Sequence, residues 1–205
     1  MKTLKKIFTV SLLLFAIVLS GCRVNEKREL SGFRFEKQYV QIKAGNIEEL
    51  TGSISVDMYI MLHSYPTSWT AIANKLQSDP KNEFNLRMKD QDAAQWYYGD
   101  GEKAIVLNWT PKNVLPLNEW VRFTAVRDLE NNVLELFVNG ESVAKKSFSN
   151  LPKAAGTDKD IIFLKSSKRT LDATLSEVRI WSKPFNADDI IKTAGLIKRP
   201  KKNKN

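Results

Sequence analysis

The stretch 117–148, LNEWVRFTAVRDLENNVLELFVNGESVAKKSF, limits the possible folds of this chain more than any other. Leu134, Leu136 and Val138 fall two apart with Glu135 between them, which is the period of a strand with one face buried. Asn139-Gly140 then interrupts the run. Both residues tolerate the positive φ of a type I′ turn, so Asn-Gly between alternating runs is the strongest short-range hairpin signal. Asn131-Asn132 has a similar role at the preceding connection. The spacing predicts strands over 119–128 and 133–139 and a short third run after the turn, an antiparallel meander with one buried face.

The rest of the chain repeats the pattern. Ile54, Val56, Met58, Ile60 and Leu62 alternate with Ser53, Ser55, Asp57, Tyr59 and Met61. Further strands are read over 38–42, 69–76, 83–89, 104–108, 161–164 and 174–181, with Phe84, Leu86 and Met88 sharing one face. Strands at this even spacing, with turn residues between, are the sequence form of a sandwich or barrel. Only 187–197 reads as helical. Asn186 can cap it, and Asp188 and Asp189 sit where the helix dipole favours negative charge. No composition break divides 33–197, which is read as a single domain long enough to bury a core.

Two segments carry a family resemblance. Trp120 opens a strand running through Phe123 to Val126, and LELFVNGESVA follows; together they resemble the central hairpins of laminin-G-like domains. These are jelly rolls of the concanavalin-A-like lectin/glucanase superfamily. LSEVRIWSKPFNADDI resembles the closing strand and the short helix after it, with Leu175 and Ser176 in place of the usual Ile-Asp. With SISVDMYIM and WTAIANK, the resemblance covers about 33–191. It implies an all-β antiparallel sandwich of jelly-roll type with one short C-terminal helix. The matched residues are core and turn positions, so they speak for fold and say little of activity.

The ends read differently. Lys2, Lys5 and Lys6 precede an apolar run over 7–19, which is a secretory signal peptide and too short for a membrane span. Leu19-Ser20-Gly21-Cys22 resembles a bacterial lipobox, making 1–21 a lipoprotein signal peptide, Cys22 the lipidated residue and 22–32 a tether. An ordinary signal peptide with an incidental cysteine is the alternative. Cys22 is the chain's one cysteine, so an internal disulfide is excluded. Several acyl chains would anchor the protein stably at a bacterial membrane. Arg23 follows Cys22 where an aspartate would resemble an inner-membrane retention signal, which favours the outer membrane or cell surface. Of the net charge of +9, the leader's three lysines and the five cations of 198–205 account for all but about +1. A body that neutral gives no reason to expect a nucleic-acid partner. The basic tail reads as disordered and solubilising, or as a contact to anionic headgroups.

Glycoside hydrolysis needs two carboxylates about 5–10 Å apart across the scissile bond. Hydrolases of the resembling superfamily set theirs on one strand in a Glu-x-Asp-x-x-Glu pattern, which is absent here. Asp172 and Glu177 lie five positions apart, so without a bulge they point to opposite faces. Glu135 and Glu141 are split by the Asn139-Gly140 turn. His63 is the one histidine and has no nucleophile motif beside it, and one histidine with one lipidated cysteine cannot make a zinc set. No enzyme is expected.

Binding is the better expectation. Three successive aromatics, Trp96, Tyr97 and Tyr98, cannot all face a core: Trp96 and Tyr98 share a face and Tyr97 lies opposite. At least one should be open to solvent, and beside Gln95 and Asp100 it would form a platform for a sugar ring. The alternative is an outer aromatic that covers a loop. Trp109 is a second candidate, whereas Trp69, Trp120 and Trp181 occupy family-matching positions and are assigned to packing. The resemblance also allows calcium, for which Asp90, Asp92 and Asp100 could supply loop oxygens, though their spacing matches no calcium loop. The expected protein is thus a membrane-anchored lectin-like lipoprotein with a glycan partner. A structural or protein-binding surface lipoprotein and a glycan-active hydrolase are the alternatives.

Overall fold

Alternation at every second residue builds strands that each need a second apolar surface, and two sheets supply it to one another. The computed structural model describes residues 28–29, 31–76, 80–91, 93–111, 115–194 and 197–198. Residues 1–21, Cys22 and 199–205, with the leader, anchor and tail assigned to them, lie outside the described residues. In chain order the first strands are β1 (Arg28–Glu29), β2 (Phe33–Phe35), β3 (Val40–Ile42), β4 (Ile54–Leu62), β5 (Thr70–Leu76) and β6 (Asn82–Lys89). Next come β7 (Ala93–Gly99), β8 (Ala104–Trp109), β9 (Trp120–Asp128), β10 (Val133–Val138) and β11 (Glu141–Ser147). The last are β12 (Ile161–Phe163), β13 (Lys165–Ser166), β14 (Arg169–Thr170), β15 (Ala173–Trp181) and, after helix α1 (Ala187–Ala194), β16 (Ile197–Lys198).

One six-stranded sheet runs β11-β10-β9-β4-β15-β2 and the other β3-β12-β5-β6-β7-β8, with antiparallel pairing throughout both. This is the expected jelly-roll sandwich. Ile54, Val56, Met58, Ile60 and Leu62 of β4 are all buried and face Phe84, Leu86 and Met88 of the other sheet, as the alternation predicts. Each such side chain contributes about 1.5–3 kcal/mol by leaving water. Asn139 and Gly140 take φ of 53° and 88°, the pair of positive values that the β10–β11 turn requires.

Part of the outer face of the first sheet is closed to solvent. Helix α1 lies on it, and Val126, Phe137, Phe185 and Ile190 form a second small core. Asn186 caps the helix as expected: its Oδ1 accepts from the Asp189 N–H at 2.9 Å, while the Asp189 carboxylate accepts from the Asn186 N–H at 3.3 Å. Beside the helix, Asp57 is 2% exposed and accepts from Arg122 Nε at 2.8 Å, Arg122 Nη2 at 3.0 Å and Thr124 Oγ1 at 2.8 Å. Arg122 also donates to Ile190 O and Thr193 Oγ1, which ties sheet to helix.

Two readings need correction. The helix expected over 187–197 stops at Ala194, and Ile197–Lys198 instead pairs in parallel with Arg28–Glu29. Pairing of 197–198 to a distant segment overrides local helical propensity there. The short pieces β2, β13 and β14 are absent from the sequence reading, because two or three residues are too few to show a period. Among the described residues, no helix is long and apolar enough to cross a membrane.

Candidate functional site

The alternation of Trp96, Tyr97 and Tyr98 holds, but the expected exposure does not. Trp96 and Tyr98 point into the core at 0% exposure, and Tyr97, on the opposite face, is only 4% exposed. Trp96 Nε1 donates to Val126 O at 3.0 Å and Tyr98 Oη to Pro152 O at 2.6 Å, so both polar tips are satisfied inside. Burial pushes the Tyr98 phenol well above its usual range. Trp109 is also turned inward, half-buried and edge-on to Phe123 at 6.3 Å. None of these residues is an open platform.

The carboxylates of the calcium reading are also engaged elsewhere. Asp100 accepts from the N–H groups of Glu102 at 2.9 Å and Lys103 at 2.8 Å, which close a turn and hold its carboxyl below its ordinary value. Asp90 sits 3.8 Å from Lys89. Asp92 lies outside the described residues, and among the described residues no three metal-ligating side chains come together.

What covers Tyr97 is the feature of interest. The sheet register sets Asn74, Asn85 and Tyr97 side by side across β5, β6 and β7, and Arg87, Gln95 and Asn108 in the next row across β6, β7 and β8. Being odd-numbered against Phe84, Leu86 and Met88, Asn85 and Arg87 face outward. The Arg87 guanidinium lies 4.4 Å from the Tyr97 ring and 4.8 Å from the Trp69 ring. Its Nε donates to Gln95 Oε1 at 2.7 Å and its Nη1 to Tyr97 Oη at 3.4 Å. Gln95 Nε2 continues to Asn108 Oδ1 at 2.7 Å, and Asn85 Nδ2 donates to Tyr97 Oη at 2.9 Å. The β13–β14 hairpin borders this face: Asn74 Nδ2 donates to Lys165 O at 2.9 Å and Arg169 Nη2 to Trp69 O at 3.2 Å. A stacked aromatic–guanidinium pair among amide side chains can hold a ligand that has both a flat apolar side and hydroxyls.

Among these residues the sequence points to Tyr97 and its neighbour Gln95. Trp69, assigned to packing, does pack, but on an outward cation. Arg87 and Asn85 carry a signal in the alternation of 83–89, where polar residues answer Phe84, Leu86 and Met88.

The acids behave differently from the expectation too. The β15–β4 register shifts between Leu175 and Val178, a bulge that turns Glu177 outward onto the same face as Asp172. Asp172 pairs with Arg34 at 3.1 Å and Glu177 pairs with Arg179. His63 bridges Asn118 at 2.7 Å and Thr174 at 2.8 Å. At the end of the sandwich, a shallow polar cleft of about 560 Å³ opens between Asn46, Glu48 and Thr51 and the loop 155–158. Behind its Thr157 wall, Lys75 Nζ donates to Glu83 Oε2 at 2.6 Å, both side chains fully buried.

Comparison with known proteins agrees with this architecture. No curated protein sequence matches the chain. Among solved structures, the binding domain of Paraclostridial Mosquitocidal Protein 1 superposes with a TM-score of 0.64 at 14% identity, over 78% of this chain and 42% of that one. The binding domain of Botulinum Neurotoxin DC, solved in complex with SialylT, gives 0.60 at 13% identity, over 73% and 37%. The same domain with rat synaptotagmin II gives 0.60 at 13% identity, over 74% and 37%. This chain therefore spans well under half of each, and at such identities the likeness is one of fold. A sequence-family model, Laminin_G_3, matches residues 35–191, and on that match the chain belongs to the concanavalin A-like lectin/glucanases superfamily.

Proposed function

We propose that this chain is a lectin-like carbohydrate-binding module without catalysis, held at a bacterial membrane, at the outer membrane or cell surface, by lipid on Cys22. The observation that carries the reading is the outward face of β5–β8. Trp69 and Tyr97 hold Arg87 there among the amides of Gln95, Asn108 and Asn85. Tyr97 and Asn85 are buried beneath this face, so the part-exposed Trp69, Arg87 and Gln95 and the exposed Asn108 are the groups offered to a sugar ring, which has an apolar side and a rim of hydroxyls. Two further facts support binding over hydrolysis. Asp172 and Glu177, now on one face, are each tied to an arginine. The structural neighbours are binding domains by name.

A glycan array on the 23–205 fragment, followed by isothermal titration of the hits, tests the reading. Trp69→Ala should weaken binding at least about tenfold, the equivalent of about 1.4 kcal/mol, in line with the loss of a stacking contact. If no glycan binds the parent, the protein-binding alternative replaces this one. The exposed Phe33 and Ile42 on the edge strands β2 and β3 would then be its first candidates.

A further inference from the structure

We infer that the ligand of the β5–β8 face is an acidic sugar whose carboxylate is received by Arg87. This rests on the carbohydrate-binding reading and adds the chemical class of the ligand.

The two outer faces of the sandwich treat their arginines differently. On the first sheet, Arg34, Arg122 and Arg179 each meet a carboxylate, from Asp172, Asp57 and Glu177 respectively. Arg87 on the second sheet, and Arg169 on the β13–β14 hairpin that borders it, have no carboxylate within 4.0 Å among the described residues. Their acceptors are the neutral Gln95 Oε1, Tyr97 Oη and Trp69 O. Alternation also puts Lys89 on the face of Arg87, and its one acid, Asp90, is at 3.8 Å with both side chains nearly half exposed. Arg87, Lys89 and Arg169 are thus cations on or bordering this face whose one described acidic partner within 4.0 Å is Asp90.

Arg87 is built to be a receptor rather than a solvated charge. Its Cζ lies over two rings, at 4.8 Å from Trp69 and 4.4 Å from Tyr97, and the bonds from Nε and Nη1 restrict its rotation. Nη2 has no acceptor among the described residues, so the fork has one arm left to donate. The side chain is half-buried, where attraction to an anion is less screened than on an open surface. A planar guanidinium with its orientation set in advance suits a carboxylate better than the point charge of a lysine ammonium would at the same place. The adjacent groups suit the remainder of an acidic sugar. Trp69, part-exposed, brings an aromatic ring beside the guanidinium, and Asn108, exposed beside Gln95, offers an amide to ring hydroxyls.

The test uses the full chain solubilised in detergent and a panel of polygalacturonate, alginate, hyaluronan and sialyllactose. Each is paired with its methyl ester, and sialyllactose also with lactose. At least one acid should bind tenfold or more tightly than its ester, and its affinity should fall as salt is raised from 50 to 300 mM (about the range over which screening tightens). Arg87→Gln should remove that preference and Arg87→Lys should keep some of it, with melting curves showing that both variants fold. The acid-against-ester comparison on the parent needs no variant, so it decides even if Arg87 substitutions unfold. Equal binding of acids and esters, or binding of lactose alone, overturns the inference and leaves the carbohydrate-binding reading intact. A folded Arg87→Gln that keeps the preference overturns the assignment to Arg87. Binding of no member, acid or neutral, overturns both.

Discussion

Arg122→Met asks whether the outer face of the first sheet is truly an interior. Asp57 is 2% exposed, and three of its bonds come from Arg122 Nε, Arg122 Nη2 and Thr124 Oγ1. Methionine keeps a hydrocarbon side chain but removes the guanidinium, which lies 5.7 Å from the Tyr59 ring centre. The carboxylate is then left in a dry site with one hydroxyl and the more distant Arg179 Nη1 at 4.0 Å. Removing one partner of a buried ion pair costs about 3–5 kcal/mol, because the other charge has lost its water and its counter-ion. Arg179 offsets some of that, and the lost bonds to Ile190 O and Thr193 Oγ1 add about 1 kcal/mol each. The expected cost is about 4 kcal/mol, a large share of the roughly 5–15 kcal/mol typical of a domain. Urea unfolding of the 23–205 fragment measures it, with Asp57→Leu and the double variant completing a cycle. The double should cost less than the two singles together, since an apolar pair has no charge to strand. An Arg122→Met cost under about 1 kcal/mol, or a double variant that costs the full sum, refutes the reasoning.

The remaining predictions are shorter. Leu136→Ala deletes a side chain of 0% exposure and should cost about 2–5 kcal/mol. Glu135→Ala, one residue away, breaks the outward contacts to Lys145 and to Ser142 Oγ, both exposed, and should stay under about 1 kcal/mol; similar losses in the two urea melts would mean that the β10 register is wrong. Gly99→Ala would place a Cβ 1.7 Å from Pro80 O, so the melting curve should show at least the roughly 1–3 kcal/mol of an overpacked core, and an unchanged curve would mean that β7 and Pro80 do not touch. Cys22→Ser should abolish labelling by a palmitate analogue and membrane fractionation together, and normal labelling of that variant sinks the lipid anchor.

The sequence by itself determined what is local and periodic. The alternation of 54–62 named the inward residues of β4 correctly, and Asn139-Gly140 placed the β10–β11 turn, because both signals need only neighbouring residues and fixed backbone geometry. It also told which aromatics of 96–98 share a face. It could not tell what lies on that face. Tyr97 is covered because Arg87 of β6, 10 positions away in the chain, lies over its ring, with Trp69 from just before β5 against the same guanidinium. Asp57 reads as a solvent residue in its own strand, and becomes an interior one because α1, closed onto the sheet by a bond spanning 71 residues, shuts water out. One bulge in β15 reversed the side on which Glu177 stands, since a period of two has no tolerance for an extra residue. Periodicity assigns each side chain to a face of its sheet; only the docking of distant segments decides whether that face meets water, a helix or a ligand.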